Sequence, residues 1–316
     1  MRIGGDTGGF SEPKVISHSE KSIAGQNESD VQDAVARTGA IYEKSDNTEI
    51  KYRTYNADGT VNGTNAARTL SSNQSIQYAL INLGFYSGPA NGNLTSDLMK
   101  IAIGNFQTVY GLKQTGVMNQ TTLSKLELAD GFRNRAMNIL AENESNTQVK
   151  ALDTIERKNF AKIWTFLRLG MGVGATHASA VMANIKAESG FSSDNLEDEN
   201  EVITHHDPDY VYNVNDKKGY GIMQWTFAAR KQGLLNQAKS MGLQPKDLNA
   251  QLAYFRSETN NSSICKSEWV EFKNKKTLID ATEYFLDYIE KPNEEDAHRE
   301  DRIRFANEIY QLMYKL

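Results

Sequence analysis

The fold is decided by residues 175–191, which read ATHASAVMANIKAESGF. Their apolar side chains recur at helical spacing, at Ala178, Val181, Met182 and Ile185. Glu188 lies three residues after Ile185 and therefore on the same face of the helix. Gly190 supplies the break that ends it. The stretch predicts a helix whose last turn places a carboxyl group at the edge of the core.

A carboxyl group in this position is suited to hold a proton. Burial and the negative end of a helix both favour the neutral form of an acid, and a general acid must carry its proton at neutral pH. The position alone does not decide the matter, because most acidic side chains at the rim of an apolar face are ion-paired or exposed.

A second motif follows at residues 219–226, which read GYGIMQWT, with Arg230 four residues further on. The two glycines allow close approach of the backbone, and Gln224 and Trp225 place an amide beside an aromatic plane. Amides hydrogen-bond to sugar hydroxyl and acetamido groups, while flat rings cover the apolar face of a sugar. The alternative is that Trp225 belongs to the core and Gln224 caps a helix.

These two motifs together resemble the phage tail lysozyme family, which is related to goose-type lysozymes and soluble lytic transglycosylases. The resemblance continues through QLAYF at 251–255, FLDYIEKP at 285–292 and the segment from Arg302 to Tyr310, and it covers residues 155–314. It implies an α-helical lysozyme fold that cuts the β-1,4 bond between N-acetylmuramic acid and N-acetylglucosamine.

The resemblance also implies roles for single residues. Glu188 matches the general acid, and Glu290 is placed in a structural turn. The predicted substrate contacts are Tyr220, Gln224, Trp225 and Tyr254.

The number of catalytic carboxylates stays open. Hydrolysis by two carboxylates needs a second acid about 5–9.5 Å from the first. Residues 187–216 are rich in acidic side chains and contain no Lys or Arg, which indicates a solvated acidic loop. Asp207, Asp209 and Asp216 are the candidates within it. A single glutamate acting as acid and then as base, with attack by the sugar's own 6-hydroxyl, would instead give the anhydro product of a lytic transglycosylase.

Another family resemblance lies upstream. IQYALINLGFYSG at 76–88, the pairs Asn91-Gly92 and Phe106-Gln107, and TGV at 115–117 resemble the three-helix peptidoglycan-binding domain family, over residues 72–129. Gly84 ends the first helix, Thr95 or Ser96 caps the second, and a short third helix is predicted at Thr121–Leu128. Asn91 stands where the family has Asp, and we expect it to serve the turn equally well. The alternative is a structural spacer that no longer binds cell wall.

Composition sets the frame for both. A length of 316 residues suggests about two domains. The prediction is a mainly α protein with a polar arm at 1–70, a peptidoglycan-binding domain at 71–130, a linker at 131–154 and a lysozyme-like domain at 155–316. The mean hydropathy of −0.58 reflects the polar arm, in which the alternating Glu49–Tyr55 and the following Asp58-Gly59 turn allow a short hairpin.

The same composition excludes several function classes. The net charge of −5 argues against nucleic-acid binding by bulk charge, and no apolar run is long enough to span a membrane. His205-His206-Asp207-Pro-Asp209 has no further ligands at zinc spacing, and Cys265 has no histidine near it in sequence, so neither a metal, a cofactor nor a thiol nucleophile is predicted.

Peptidoglycan is the predicted partner, and the bacterial cell wall is the predicted place of action. Because the chain begins without a secretory signal, we expect delivery by a virion, a holin or a dedicated apparatus, with the arm as the segment that docks on a phage tail or similar machine. The alternative is a non-catalytic wall-binding or assembly protein that keeps the lysozyme fold.

Overall fold

The computed structural model describes residues 43–44, 50–51, 70, 72–197, 210–261, 265–291 and 297–316. Over these ranges the chain is mainly α-helical, as predicted. Strand β1 (Glu43–Lys44) pairs antiparallel with strand β2 (Ile50–Lys51). The predicted hairpin segment at 49–55 therefore does contain a strand, but the strand's partner precedes it instead of following the Asp58-Gly59 turn. The remainder of the predicted arm lies outside the described residues.

The helices follow one another in a single order along the chain. They are α1 Asn73–Asn82, α2 Asp97–Val109, α3 Gln120–Glu142, α4 Thr147–Lys150, α5 Thr154–Thr165, α6 Ala175–Ser189, α7 Ala228–Ser240, α8 Leu248–Asn261, α9 Lys266–Asn274, α10 Leu278–Phe285 and α11 Arg299–Met313. A wider, π-helical turn extends two of them, at Phe166–Gly170 after α5 and at Leu286–Glu290 after α10. None of the helices that the structure describes has both the length and the apolar character needed to cross a membrane.

Two buried glutamines organise the loops that follow α1 and α2. The Oε1 of Gln77 accepts a hydrogen bond from Gly92 N at 2.6 Å, and that of Gln107 accepts one from Gly116 N at 2.9 Å. Asn91 Oδ1 accepts from the backbone N–H two residues on, at 3.0 Å, and also from Gln77 Nε2. Asparagine therefore shapes this turn, as predicted for the position where the resembled family has aspartate.

Helix α3 is much longer than the predicted Thr121–Leu128. It begins after the Asn119 cap and runs on to Glu142, across the predicted boundary between domain and linker. The physical reason is that its apolar face continues beyond Leu128 through Phe132, Ala136 and Leu140, all buried. Because this face packs against α5, the helix gains enough burial to continue.

The first three helices rest directly on the C-terminal helices. Three buried side chains hydrogen-bond to backbone carbonyls across this contact: Lys125 Nζ to Leu169 O at 2.9 Å, Asn105 Nδ2 to Met241 O at 3.1 Å and Asn249 Nδ2 to Gly84 O at 2.7 Å. One apolar core runs through both parts. The two parts are therefore joined by a packed contact.

Helix α6 is the centre of the C-terminal part. It packs against α10 and α11 on one side and contacts α5 on another. Its buried face runs from Ala178 to Ile185, so the predicted apolar stripe is the one that enters the core. This packing fixes the C-terminal end of α6, where Glu188 lies.

Candidate active site

Glu188 lies in the last turn of α6, at the edge of the core, where the sequence predicts it. Its side chain is 16% exposed, so it is shielded but still accessible from one side. Gly190 follows with a φ of 58°, a left-handed conformation that glycine adopts without strain, and it turns the chain away from the helix. Ser189 Oγ donates to Ile185 O and lies 3.3 Å from Ile222 O, which links the helix end to the 219–225 loop.

Arg302 of α11 is the cation beside Glu188. Its Nη2 lies 2.5 Å from Glu188 Oε1, and the arginine side chain is only 3% exposed. Its other nitrogens are also held, because Nη1 donates to Asn184 Oδ1 at 3.0 Å and Nε donates to Ala297 O at 2.8 Å. The guanidinium therefore has a fixed orientation towards the Glu188 carboxyl. The expectation of a simply desolvated acid omitted this ion pair, since Arg302 is 114 residues away in sequence.

Glu290 is the second carboxyl group of the site. It ends the π-helical turn after α10, so the predicted structural turn is present, but its side chain is 3% exposed and lies against Glu188 and Arg302. Arg302 Nη1 lies 3.9 Å from Glu290 Oε2. Burial, followed by the negative charge of Glu188, raises the pKa of Glu290 well above its ordinary value.

The 219–225 loop packs beside the end of α6 through Asn195. Asn195 Nδ2 donates to Glu188 O at 3.1 Å, and Asn195 O accepts from Gly221 N at 2.8 Å. Next to it, Leu196 and Tyr220 form an isolated antiparallel bridge. The two sequence motifs are therefore brought together, with a short extended segment between them.

Gln224 has a backbone conformation that is rare for its residue type. Its φ is +43°, and its Nε2 donates to Gly221 O at 2.9 Å and lies 3.3 Å from Asn195 O. A Cβ atom on Gly219 would lie 2.6 Å from Gln224 Oε1 and 3.2 Å from Glu197 Oε2. Glycine at 219 thus leaves room for an amide and a carboxylate to converge. Left-handed backbone in a residue other than glycine is costly and concentrates at functional sites.

Comparison with known families agrees with this geometry. Residues 158–313 match the phage tail lysozyme family. Residues 71–126 match the putative peptidoglycan binding domain family, so the two matches occur in the predicted order. No curated protein and no solved structure matches the chain. The two family matches together support a peptidoglycan-degrading, lysozyme-like function.

Two of the predicted substrate contacts lie in the core of the lysozyme-family segment. Trp225 has no exposed surface and packs against Tyr254, with ring centroids 5.3 Å apart. Both donate to the carboxylate of Glu258, Trp225 through Nε1 and Tyr254 through its hydroxyl, each at 3.3 Å. Arg230 binds the same carboxylate through Nε and Nη2, at 2.6 and 2.8 Å. The prediction of sugar contact by Trp225 and Tyr254 is therefore corrected to a core role, because Glu258 gives a buried partner to each polar atom.

The other two predicted contacts differ in exposure. Gln224 is partly exposed, and it does not cap α7, which has no side-chain cap. Tyr220 is 5% exposed, with its ring against Tyr210 at 5.3 Å and Tyr212 at 5.0 Å between centroids. Only Gln224 therefore offers a polar side chain with substantial exposure.

Asp216, a predicted candidate for the second acid, is held in an ion pair. Lys231 Nζ lies 2.5 Å from Asp216 Oδ1, and the Tyr210 hydroxyl donates to Asp216 Oδ2. Burial opposes ionisation of Asp216, but hydrogen bonds from Lys231, Tyr210 and the Lys218 amide outweigh it and hold the pKa of Asp216 below its ordinary value. This carboxylate anchors the Lys231 ammonium of α7, which is itself fully buried.

Asp207 and Asp209, the other two candidates, lie outside the described residues, as does the His205-His206 pair. Among the residues that the structure does describe, no group of three or more His, Cys, Asp or Glu side chains is arranged to hold a metal ion. Cys265 is buried, and burial, followed by the charge of Glu258, raises the pKa of its thiol to about 12. A thiol with that pKa is almost entirely protonated at neutral pH and is a poor nucleophile.

Sequence reasoning missed Arg302 as the partner of Glu188, Glu290 as its neighbour and Glu197 beside Gln224. One signal was available for Glu290. It follows an apolar helix at the rim of the core, as Glu188 does, and two acidic side chains at such rims in one segment are candidates for a shared site.

Proposed function

We propose that this chain cuts the β-1,4 bond between N-acetylmuramic acid and N-acetylglucosamine in peptidoglycan, with Glu188 as the general acid. The observation that carries the proposal is the position of Glu188. Its carboxyl is partly exposed at a packed helix end, and a buried arginine and a second carboxyl group hold it from behind. A carboxyl group that reaches solvent on one side and has a fixed orientation on the other is suited to protonate a bound substrate.

The chemistry follows from this geometry. As the bond between the sugar C1 and the bridging oxygen breaks, its electron pair goes to that oxygen, which takes the proton of Glu188. The resulting carboxylate lies beside the positively charged sugar and is oriented by Arg302. It then takes a proton from the nucleophile that attacks C1, which is either water or the sugar's own 6-hydroxyl.

Among the predicted substrate contacts we retain Gln224 and Tyr220 for the cleft and place Trp225 and Tyr254 in the core. The amide of Gln224 is suited to the acetamido and hydroxyl groups of the sugars, because it both donates and accepts. Its left-handed φ is a second reason, since a strained residue persists where a specific placement is needed.

A second catalytic acid is not needed for either product. We do not assign this role to Asp216, since Lys231 and Tyr210 already bind its carboxylate, and we keep Asp207 and Asp209 as candidates. Mass spectrometry of digested wall separates the two reactions, because the anhydro product of a transglycosylase is lighter than the hydrolytic product by one water.

The test of Glu188 is zymography on purified cell wall with the wild type and Glu188→Gln. We expect clearing by the wild type and a loss of about two or more orders of magnitude in the variant, as for removal of a general acid. Glu271→Gln, an exposed carboxylate of α9, is the matched control and should clear like the wild type. Equal clearing by Glu188→Gln would refute the assignment, and no clearing by any form would favour a wall-binding or assembly protein.

We further propose that residues 71–130 attach the enzyme to the wall and that the arm at 1–70 docks on a delivery machine, such as a phage tail. The family match at 71–126 supports the first part. The Glu188→Gln variant allows a clean test, because it should leave the polymer intact. We expect it to co-sediment with purified wall, and failure to sediment would remove the targeting role.

A further inference from the structure

One guanidinium group contacts two carboxyl groups at the end of α6. Arg302 Nη2 lies 2.5 Å from Glu188 Oε1, and its Nη1 lies 3.9 Å from Glu290 Oε2. The two carboxyl groups are also hydrogen-bonded to each other. Three separate elements, namely α6, the turn after α10 and α11, thus bring two acids and one cation into contact.

The hydrogen bond between the two acids requires a proton. Carboxylates are acceptors only, so Glu188 and Glu290 can be hydrogen-bonded only if one of them is protonated. Among the described residues no donor reaches the buried Oε1 of Glu290. An anion there would have one cation at 3.9 Å and an unsatisfied oxygen, which is costly in a desolvated position. The proton therefore lies on Glu290 at rest, and Glu188 carries the charge that Arg302 binds.

The surrounding charges make loss of this proton difficult. Three titratable groups face Glu290: Glu188 from α6, Arg302 from α11 and Arg230 from α7. Arg230 is engaged by Glu258 of α8, at 2.6 and 2.8 Å. Arg302 is therefore the main cation available to the pair, and deprotonation would leave two negative charges to share it.

We propose that Glu188 and Glu290 share one proton, and that Glu290 is a positioning residue that keeps this proton available to Glu188 at pH values where a lone glutamate would have lost it. The inference rests on the proposed function of Glu188. It adds the source of the proton, which the ion pair with Arg302 would otherwise leave unexplained.

The proton balance of the reaction is complete with this pair. The shared proton moves from Glu290 to Glu188 along their hydrogen bond, while the charge left on Glu290 faces Arg302 Nη1. Glu188 passes the proton to the bridging oxygen as its bond to C1 breaks. The nucleophile then bonds to C1 and gives its proton to Glu188, and transfer back to Glu290 restores the resting state.

The test is the pH profile of the cleavage rate on solubilised peptidoglycan, for the full chain and Glu290→Gln. Glutamine keeps the size and can still donate to Glu188, but it cannot hold a transferable proton. We expect the alkaline limb of the profile to move to lower pH by about 1 unit or more, the size of coupling that defines a shared titration. On the acidic side the rate should stay within a few-fold of the wild type. Glu283→Gln, a partly exposed carboxylate of α10, is the control and should leave the limb unchanged.

Each other outcome has a defined meaning. An alkaline limb that does not move in Glu290→Gln, with or without a uniform loss of rate, would overturn the inference and leave Glu290 a structural role. If the wild type does not cleave peptidoglycan, the proposed function fails first, and carboxyl titration of ¹³C-glutamate-labelled wild type by NMR still tests the pair. The same titration serves if Glu290→Gln does not fold. Two coupled steps are expected there, and independent titration of the two groups would refute the shared proton.

Discussion

Arg302 fixes the geometry of the site more directly than any other residue. It is 3% exposed and binds Glu188, Asn184 and the Ala297 carbonyl at once. Replacing it with glutamine leaves two acids without their cation in a desolvated position. We expect Arg302→Gln to lower the free energy of unfolding by about 3 kcal/mol or more, the usual effect of breaking a buried pair.

Urea unfolding measures this effect, and Arg304→Gln is the matched control two residues further along α11. Arg304 pairs with Asp301 at the surface, so its loss should change stability by less than about 0.5 kcal/mol. Equal effects of the two substitutions would contradict the assignment of Arg302 to a buried charge cluster.

Glu127 gives a stability prediction that depends on pH. Burial raises its pKa from 4.5 to about 7, and a hydrogen bond from Leu70 N opposes the shift. The unfolded chain loses this proton near pH 4.5, whereas the folded chain keeps it to about pH 7. Between these values the folded state binds more protons, so the contribution of Glu127 to stability falls as the pH rises through this window.

Glu127→Gln should remove that part of the pH dependence, because the amide oxygen can still accept from Leu70 without carrying a charge. Relative to the wild type, we expect the variant to gain up to about 3 kcal/mol between pH 5 and pH 8. Urea unfolding at both pH values is the measurement. Parallel losses of stability in wild type and variant would show that Glu127 is not the group responsible.

At this scale, sequence reasoning found the residues whose environment is local. Glu188 was predicted from its distance to Ile185 and Gly190, and the turn role of Asn91 from its own chemistry. Trp225 and Tyr254 were misplaced because the buried carboxylate that satisfies both comes from another part of α8. Arg302 and Glu290 were missed as partners because a contact between distant segments has no signature in spacing.

Among the elements, the 219–225 loop depends on the absence of a side chain at Gly219. The atoms that a methyl group would meet belong to the Gln224 and Glu197 side chains, at 2.6 and 3.2 Å, and the ends of such side chains can move at small cost. We expect Gly219→Ala to fold with nearly wild-type stability but to lose most of its activity, because the Gln224 amide is displaced.

Gly242→Ala is the contrasting variant. Gly242 has a φ of +67°, and no atom lies within 4 Å of the position that a methyl group would take, so alanine there is strained but touches nothing. It should lower stability by about 1 kcal/mol and leave activity unchanged. Thermal unfolding and cleavage rates of the two variants give the comparison, and a loss of stability without loss of activity in Gly219→Ala would contradict this view of the loop.

The elements themselves were predictable where the helical pattern is local. The stripe of α6 and the Ser96 cap of α2 were readable from neighbouring residues. The length of α3 was not, because residues after Leu128 remain helical only through packing on α5. The π-helical turn that ends at Glu290 was also not readable, since it depends on how α10 meets the core.

For the whole molecule, the contact between the first three helices and the lysozyme-family segment determines how the chain unfolds. Apolar side chains of both parts form one core, and buried Lys125, Asn105 and Asn249 hydrogen-bond across it. Separating the parts would expose these groups, so we expect residues 72–316 to unfold together.

Differential scanning calorimetry should accordingly show one cooperative transition for this region, with equal calorimetric and van't Hoff enthalpies. Lys125→Met, which removes a cross-contact, should lower the transition temperature as a whole. Two separate transitions in the wild type would show that the parts are independent.

Such a contact also bears on function. A segment that matches a wall-binding family and a segment that matches a lysozyme family have a fixed relation in the described structure, so wall bound by one is held at a constant position relative to Glu188. The low net charge is consistent with attachment through specific sugar and peptide contacts instead of bulk electrostatic attraction.

The most direct test of the central claim is mass spectrometry of the products that the wild type and Glu188→Gln release from purified peptidoglycan. We predict glycan fragments ending in N-acetylmuramic acid, in either the hydrated or the anhydro form, from the wild type and almost none from the variant. The same glycan fragments from both proteins, or fragments cut only in the peptides, would contradict the assignment of Glu188 as the acid that cleaves the wall.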